Sequence, residues 1–221
     1  MNNNPLNFLY KSFVPLENYK LLQFVCENFF KDKIAGYFIE IGANDGMGAT
    51  KFFEDLGWQG IAIEPIPDLC ERIKKERTTK CIQGCIASKK MKSKFLKINP
   101  PGPACLSGIV DHYDPRHVQR IKMELESDGG STELIEMECY LFNDVMSENG
   151  FSRIDYLSVD TEGGELNILK SIDFDKYYID VICVENNYLD VNLPAFLISK
   201  GYCFVLRTGP DEIYKKLNFP S

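Results

Sequence analysis

Hydrophobic positions fall at helical spacing at the start of the chain, where Leu21, Leu22, Val25, Phe29 and Phe30 line one side of Leu16–Lys31. That pattern predicts an amphipathic helix covering one edge of a core. A short buried-strand run, Tyr37–Ile41, follows and breaks at Gly42, and a helix resumes over Thr50–Leu56. The same strand-turn-helix unit returns as Gly60–Glu64 with a helix from Asp68 to Glu76, and Lys80–Ile86 reads as a third strand. Strands alternating with helices predict a parallel sheet with helices on both faces.

The rhythm is lost between Ala87 and Arg153. A Pro/Gly-rich stretch, Asn99–Gly108, leads into a polar helical piece over Pro115–Glu126 and a loop at Ser127–Thr132. A strand, Glu133–Cys139, and a helix, Leu141–Glu148, close the segment. Regular order resumes with a strand at Ile154–Asp160, a helix at Glu165–Ser171 and a strand at Val181–Glu185. The tail adds a helix at Leu193–Lys200, a strand at Tyr202–Leu206 and a closing strand at Glu212–Lys215. The expectation is one α/β domain over residues 1–221 with about seven sheet strands. Residues 1–35 form a helical N-terminal segment, and the 88–152 insertion forms a lid over an acceptor.

Composition narrows the function classes. A net charge of -7 and a pI near 5.0 disfavour a phosphate-backbone binder, because counterion release at a basic face drives such binding. The lysine-rich Lys89–Lys97 stretch reads as a turn and strand with solvated side chains. Eight cysteines show no C-x-x-C or Cys/His spacing and are read as reduced thiols. Met1–Phe13 lacks the apolar stretch of a signal peptide, and nowhere do 18 apolar residues run together. These features lead to the expectation of a cytoplasmic protein without a membrane partner. The N-terminal helix is simplest read as covering its own sheet, with a homodimer contact as its other use.

The strongest chemical signal is Glu40-Ile41-Gly42-Ala43-Asn44-Asp45-Gly46, an acid ending a strand and glycines at the turn into a helix. Glycine lets a ligand approach bare backbone there. The G-x-G-x-x-G spacing of a diphosphate site is missing, and Glu40 and Asp45 would repel a diphosphate. They suit a ligand with an ammonium and a sulfonium. This counts against a nicotinamide-dependent oxidoreductase. Glu64, before Pro65, ends the next strand where doubly wound sheets place a carboxylate on ribose hydroxyls.

These residues resemble the FkbM family of methyltransferases, whose E/D-x-G-A-N-x-G stretch is followed by a strand ending in E-P. Downstream, Ile154-Asp155-Tyr156-Leu157-Ser158-Val159-Asp160-Thr161-Glu162-Gly163-Gly164-Glu165 resembles that family's I-D-x-L-K-I-D-V-E-G-x-E signature, with Ser158 and Thr161 departing from it. The resemblance implies a Rossmann-like class I methyltransferase fold, S-adenosylmethionine as donor, and a hydroxyl of a sugar, sugar nucleotide or glycan as acceptor. On that fold Glu40, Gly42, Ala43, Asn44, Asp45, Gly46, Glu64 and Pro65 would surround the donor, with Asp160 beside them. Cys85 and Ile86 would pass the adenine.

Asp160, Glu185 and Asn186 leave the ends of two neighbouring strands. As an oxygen-rich set they suit a divalent cation, magnesium or calcium, and catechol-type O-methyltransferases on the same fold hold magnesium with acids and an asparagine at corresponding strands. The alternative is that Glu162 and Glu165 cap the helix beginning near Gly163. An acceptor alcohol must lose its proton, and Asp160, Glu162 and His112 are the candidate catalytic groups, with His117 a weaker one. Methylation of RNA or protein, or non-catalytic binding of S-adenosylmethionine, remain alternatives that fold analogy leaves open.

Overall fold

In the computed structural model the described residues are 18–217 apart from Met47 and Ala49. Met1–Phe13 and the start of the first helix at Leu16 lie outside them. Asn18–Phe29 is helical, and its buried Leu21, Leu22 and Val25 pack with Phe38, Tyr156 and Val181 of the sheet beneath. Each such side chain contributes roughly 1.5–3 kcal/mol by leaving water. The helix therefore spends its apolar stripe on its own sheet.

That sheet has seven strands: β1 Tyr37–Ile41, β2 Gln59–Glu64, β3 Lys80–Gln83, β8 Arg153–Val159, β9 Tyr178–Glu185, β10 Tyr202–Thr208 and β11 Asp211–Lys216. Their order is β3-β2-β1-β8-β9-β11-β10, all parallel except β11, which runs antiparallel to both neighbours. From β1 the chain moves outward to β2 and β3, then returns to lay β8 on the other side of β1. Ligands of open α/β sheets bind at such a reversal, beyond the carboxyl ends of the strands. Helices Phe142–Glu148, Glu165–Ser171 and Asn192–Ser199 cover one face through Phe142, Ile168, Leu169 and Leu197, and helices Asn18–Phe29 and Lys51–Asp55 lie on the other.

One predicted strand is cut in two. Lys80–Ile86 breaks at Gly84, which takes φ +141, and a Cβ there would meet the Tyr140 ring at 2.5 Å and the Glu138 carbonyl at 2.8 Å. Cys85–Ile86 (β4) leaves the main sheet and opens a second one, ordered β4-β7-β5-β6, with β5 Met91–Asn99, β6 Gly108–Ile109 and β7 Ser131–Tyr140. The β5/β7 ladder sets Lys92, Lys94 and Lys97 against Glu138, Glu136 and Glu133. Strands with one solvated face carry few apolar positions, so the periodic signal is weak there. The inward residues Phe95 and Met137 join Ile66 and Ile109 in a small core beside β2.

Helix Pro115–Asp128 connects β6 and β7, with Asp114 accepting the Arg116 N–H at 2.8 Å as its N-cap and proline at its first turn. All eight cysteines are free, and Cys105 is exposed. Among the described residues no helix is long and apolar enough to cross a membrane.

Candidate active site

The turn after β1 is shaped by the backbone of β8. A Cβ on Gly42 would lie 1.6 Å from the Asp160 carbonyl oxygen, so only glycine fits, and its φ of +83 agrees. The Gly42 and Ala43 N–H groups donate to the Ile63 carbonyl at 3.0 and 3.1 Å, fastening the turn to β2. Asn44, at φ 50, directs its N–H to Glu64 Oε2 at 2.7 Å, while the Ile66 N–H reaches Oε1 at 2.7 Å. Glu64 is thus a buried carboxylate fixed by two backbone donors, and burial pushes its carboxyl up to about 7.

A cleft opens over this turn, with about 700 Å³ of space including its mouth, within the range of small-molecule sites. Gly42, Asn44, Glu64 and Pro65 form one polar wall, and Ile66, Cys85, Ile86 and Phe95 an apolar one. Asp160 and Glu162 also line it, Asp160 directly beside Gly42.

Glu40, Ala43, Asp45 and Gly46 are not in the cleft wall, although the sequence grouped them with it. Side chains alternate along β1, so Ile39 and Ile41 face one core while Glu40 turns away with Phe38. There Glu40 Oε2 accepts from Thr50 Oγ1 at 2.6 Å and from Arg77 Nη1 at 2.9 Å. Arg77, itself buried, also donates to the Gly46 carbonyl at 3.0 Å and to Glu54 Oε2 at 2.6 Å. Ala43 is buried in an apolar cluster, and Asp45 lies at the surface 4.0 Å from Arg72. These residues hold the turn's shape from behind. Arg77 escaped the sequence reading because an arginine closing a charged helix gives no sign of pointing inward.

At the ends of β8 and β9, oxygens of Asp160, Glu162 and Glu185 all lie within 4.8 Å of one another. Asp160 keeps open surface, directed into the cleft, while Glu185 is buried. Desolvation raises all three, and repulsion from neighbouring acids adds to it, leaving Asp160 well above the carboxylate range and Glu185 up to about 11. Glu162 rises to about 7, with Arg120 opposing the desolvation. Glu165 is different, because its Oε1 accepts from the Thr161 and Gly163 N–H groups at 3.1 and 2.9 Å and ties the turn. The capping alternative therefore describes Glu165 and not Glu162.

Asn186 does not join the acids. Its Oδ1 accepts the Asp190 N–H at 2.7 Å and its Nδ2 donates to Glu212 Oε1 at 3.1 Å, which leaves the carboxamide engaged inside the protein. Asp160, Glu162 and Glu185 are the acids close enough together to hold a cation.

A second cleft adjoins the first, lined by Asp114, Arg116, Asn167, Asn187, Tyr188 and Asp190 among others. His112, Glu162 and Gly163 are in the walls of both. Burial holds the His112 imidazole below its usual range, so it stands there largely neutral. His117 is 1% exposed and faces inward. It packs on the Tyr113 ring and lies 3.1 Å from the Leu106 carbonyl through Nε2. The carbonyl can only accept, so Nε2 carries a hydrogen, and burial lowers the imidazole's pKa, which favours the neutral ring with Nδ1 bare.

The family model for the FkbM methyltransferase domain matches residues 40–202, well over half of the sequence. The chain belongs to the FkbM methyltransferase family. No curated protein sequence matches it. Among solved structures it is similar to the METTL16 methyltransferase domain, at 12% identity and a TM-score of 0.50, covering 91% of this chain and 68% of that one. A second likeness is the N-terminal domain of human METTL16 in complex with SAH, at 12% identity and a TM-score of 0.47, with 94% and 74% covered. At 12% identity the first of these likenesses shows the class I methyltransferase fold alone. As an FkbM methyltransferase the protein takes its methyl group from S-adenosylmethionine, and the cleft over Gly42 and Glu64 lies at the sheet reversal where this fold receives a ligand.

The acids of this FkbM methyltransferase make its ligand-free form sensitive to pH. Glu64 and Glu162, each raised to about 7 from 4.5, bind more protons folded than unfolded between those values. Their protonation stabilises the fold at low pH, and that contribution is lost as pH rises through about 7. Glu185, raised further, extends the loss to higher pH. The melting temperature without ligand is expected to fall by roughly 5 °C between pH 5 and 8. The Glu185→Gln variant should show a shallower fall in the same calorimetric scans, and a flat wild-type profile would contradict the shifts.

Proposed function

We propose that this FkbM methyltransferase moves a methyl group from S-adenosylmethionine to a hydroxyl of a small polyhydroxylated acceptor, a sugar or glycan, in the second cleft. The observation that carries this reading is the shared wall: Glu162, His112 and Gly163 border both clefts. A methyl group passing from one to the other crosses there. The amides of Asn167 and Asn187, the Asp190 carboxylate and the Tyr188 ring supply the hydrogen-bonding groups and the flat surface that suit a sugar.

When bound, the donor supplies an electrophilic methyl on a positively charged sulfur. Glu64 would accept from its ribose hydroxyls, with both carboxylate oxygens already aimed by Asn44 and Ile66. Ile66, Ile86, Cys85 and Phe95 offer an apolar slot for the adenine. Asp160 and Glu162 line this cleft, and a bound sulfonium would favour their ionised forms and be stabilised by them.

An alcohol oxygen forms its bond to the methyl carbon as the carbon–sulfur bond breaks, and its proton must leave. Glu162 is placed to take that proton, because a carboxyl raised to about 7 is a stronger base than an ordinary carboxylate. The insertion brings Ser107, Ile109 and His112 to the donor cleft and Asp114 and Arg116 to the acceptor cleft, and in this role it acts as a lid that excludes water.

Incubating the purified protein with methyl-labelled S-adenosylmethionine and a panel of sugars tests the reading. Label is expected in a sugar methyl ether, with kcat reduced about 100-fold or more in Glu162→Gln and donor affinity changed by less than about threefold. An unlabelled panel, or a variant as fast as wild type, would overturn it. Magnesium on Asp160, Glu162 and Glu185 is a second reading, favoured by their convergence within 4.8 Å, and would lower the acceptor pKa. Loss of transfer in EDTA with recovery on adding magnesium would select it.

A further inference from the structure

The turn that follows β9 forms much of the acceptor cleft's wall, since Asn187, Tyr188, Leu189, Asp190 and Val191 all line it. Sheet pairing does not hold this turn, because the β9/β11 ladder ends at the Glu185–Asp211 pair. A chain that has left its sheet needs other partners to keep one shape.

Asn186 supplies them. Its N–H donates to the Pro210 carbonyl at 2.9 Å, and its own carbonyl accepts from Arg207 Nη2 at 2.9 Å. Its Nδ2 donates to Glu212 Oε1 at 3.1 Å, and its Oδ1 accepts the Asp190 N–H at 2.7 Å. Asp190 Oδ1 in turn accepts the Asn192 N–H at 2.9 Å. Arg207 Nη1 closes the ring by donating to Glu212 Oε1 at 2.7 Å, and the Tyr214 hydroxyl donates to the other oxygen of that buried carboxyl group. Both backbone groups of Asn186 and both ends of its carboxamide are therefore engaged, three of the four by the β10–β11 hairpin.

A separate observation is the backbone of Leu189, which sits at φ 56 within the turn. A leucine keeps that left-handed conformation only where its surroundings impose it. The turn's contacts on the other side are weaker: a 3.4 Å bond from Asn187 to Glu162, and the Arg116 guanidinium 4.4 Å over the Tyr188 ring. Among the described residues, none from Asn186 onward lines the donor cleft. Arg207 and Glu212 also lie beyond residues 40–202, the stretch that the family model matches.

We infer that Arg207 and Glu212 are positioning residues for the acceptor: they hold Asn186, and through it the turn that meets the acceptor, and they leave the donor site alone. This rests on the acceptor cleft proposed above. A turn already in its binding shape spares the acceptor the cost of ordering it. With the hold released, only the fraction of molecules whose turn is in place can bind, and apparent affinity falls by that fraction while the bound complex reacts as before. The signature is a raised acceptor KM with kcat little changed.

The test uses the whole chain carrying Arg207→Met, Glu212→Gln, both together, or Arg207→Lys. Acceptor kinetics are read with labelled S-adenosylmethionine and the sugar that the wild type methylates fastest. The double variant, which leaves no carboxyl stranded, should raise acceptor KM about tenfold or more and keep kcat within about threefold. Its affinity for S-adenosylhomocysteine, measured by calorimetry, should also stay within about threefold. Lysine reaches one of the two acceptors that the guanidinium spans, so Arg207→Lys should fall between. An acceptor KM within threefold of wild type in the double variant would overturn the inference. Donor affinity falling as far as acceptor affinity would also overturn it, by marking the network as general scaffold.

Hydrogen exchange followed by NMR needs no acceptor. The Asp190 and Asn192 amides should exchange about tenfold or more faster in the double variant, while the β9 amides keep their rates. If the double variant does not fold, Arg207→Lys and Glu212→Gln are read the same way. Unchanged exchange at Asp190 sinks the hold on the turn whatever the acceptor is, whereas a wild type that labels no sugar sinks the acceptor reading instead.

Discussion

Replacing Glu64 with glutamine is expected to weaken S-adenosylhomocysteine binding about 100-fold, a loss of roughly 2.7 kcal/mol. Both oxygens of the native carboxylate already hold a backbone N–H, from Asn44 and Ile66, each at 2.7 Å. A glutamine must point its NH₂ at one of these donors, and it forfeits the charge-assisted bonds to the ribose hydroxyls, each worth about 1.5–3 kcal/mol. Calorimetric titration measures the loss, with a thermal melt showing that the variant is folded. Affinity in the variant within threefold of wild type would remove Glu64 from the donor site. Because burial raises Glu64 to about 7, wild-type affinity should climb from pH 6 to pH 8 as the carboxyl ionises, and the glutamine variant should not follow.

Arg77→Leu is expected to cost about 3–5 kcal/mol of folding stability, since it leaves Glu40 and Glu54 without their shared counter-charge. For a chain of this length that is roughly a 10 °C fall in melting temperature. Donor binding should suffer with it, because the same guanidinium holds the Gly46 carbonyl at 3.0 Å and so fixes the glycine turn from behind. The double variant Arg77→Leu with Glu40→Leu should recover part of the stability by removing the stranded charge. Urea unfolding of the three proteins decides it. A single variant less than about 1 kcal/mol below wild type would show that the buried pair is not structurally important.

The two sites differ in how they were legible. Glu64 could be found because strand periodicity places it at the end of Gln59–Glu64, and position on a sheet edge is a local property. Glu40 stands one residue before the end of β1, and its carboxylate turns to Arg77, a partner 37 residues away. A pattern of acids and glycines is the same whether the acid faces a ligand or a buried arginine. The surroundings of Asn186 and Glu162 were not legible for a similar reason. The Asn186 carboxamide is captured by Asp190 and Glu212, while Glu162, at φ 58, is thrown forward by a left-handed backbone that no single residue type announces.

His117 shows the same limit from the other side. His117 falls in the polar helical stretch Pro115–Glu126, which gives no sign of burial, and only the packing of its helix against Leu106 and Tyr113 sinks it to 1% exposure beside Glu162. By itself the sequence determined the alternation of strands and helices, the glycine turn, the carboxylate at the end of β2 and the acidic signature after β8, since each depends on residues close along the chain. The tertiary structure alone decided the departure of Cys85–Ile86 into a second sheet, the service of Glu40 to Arg77, and the meeting of Glu162, Glu185 and His117. Those outcomes depend on side chains 23 or more positions apart being desolvated together, an energy that belongs to the folded assembly and to no stretch of it.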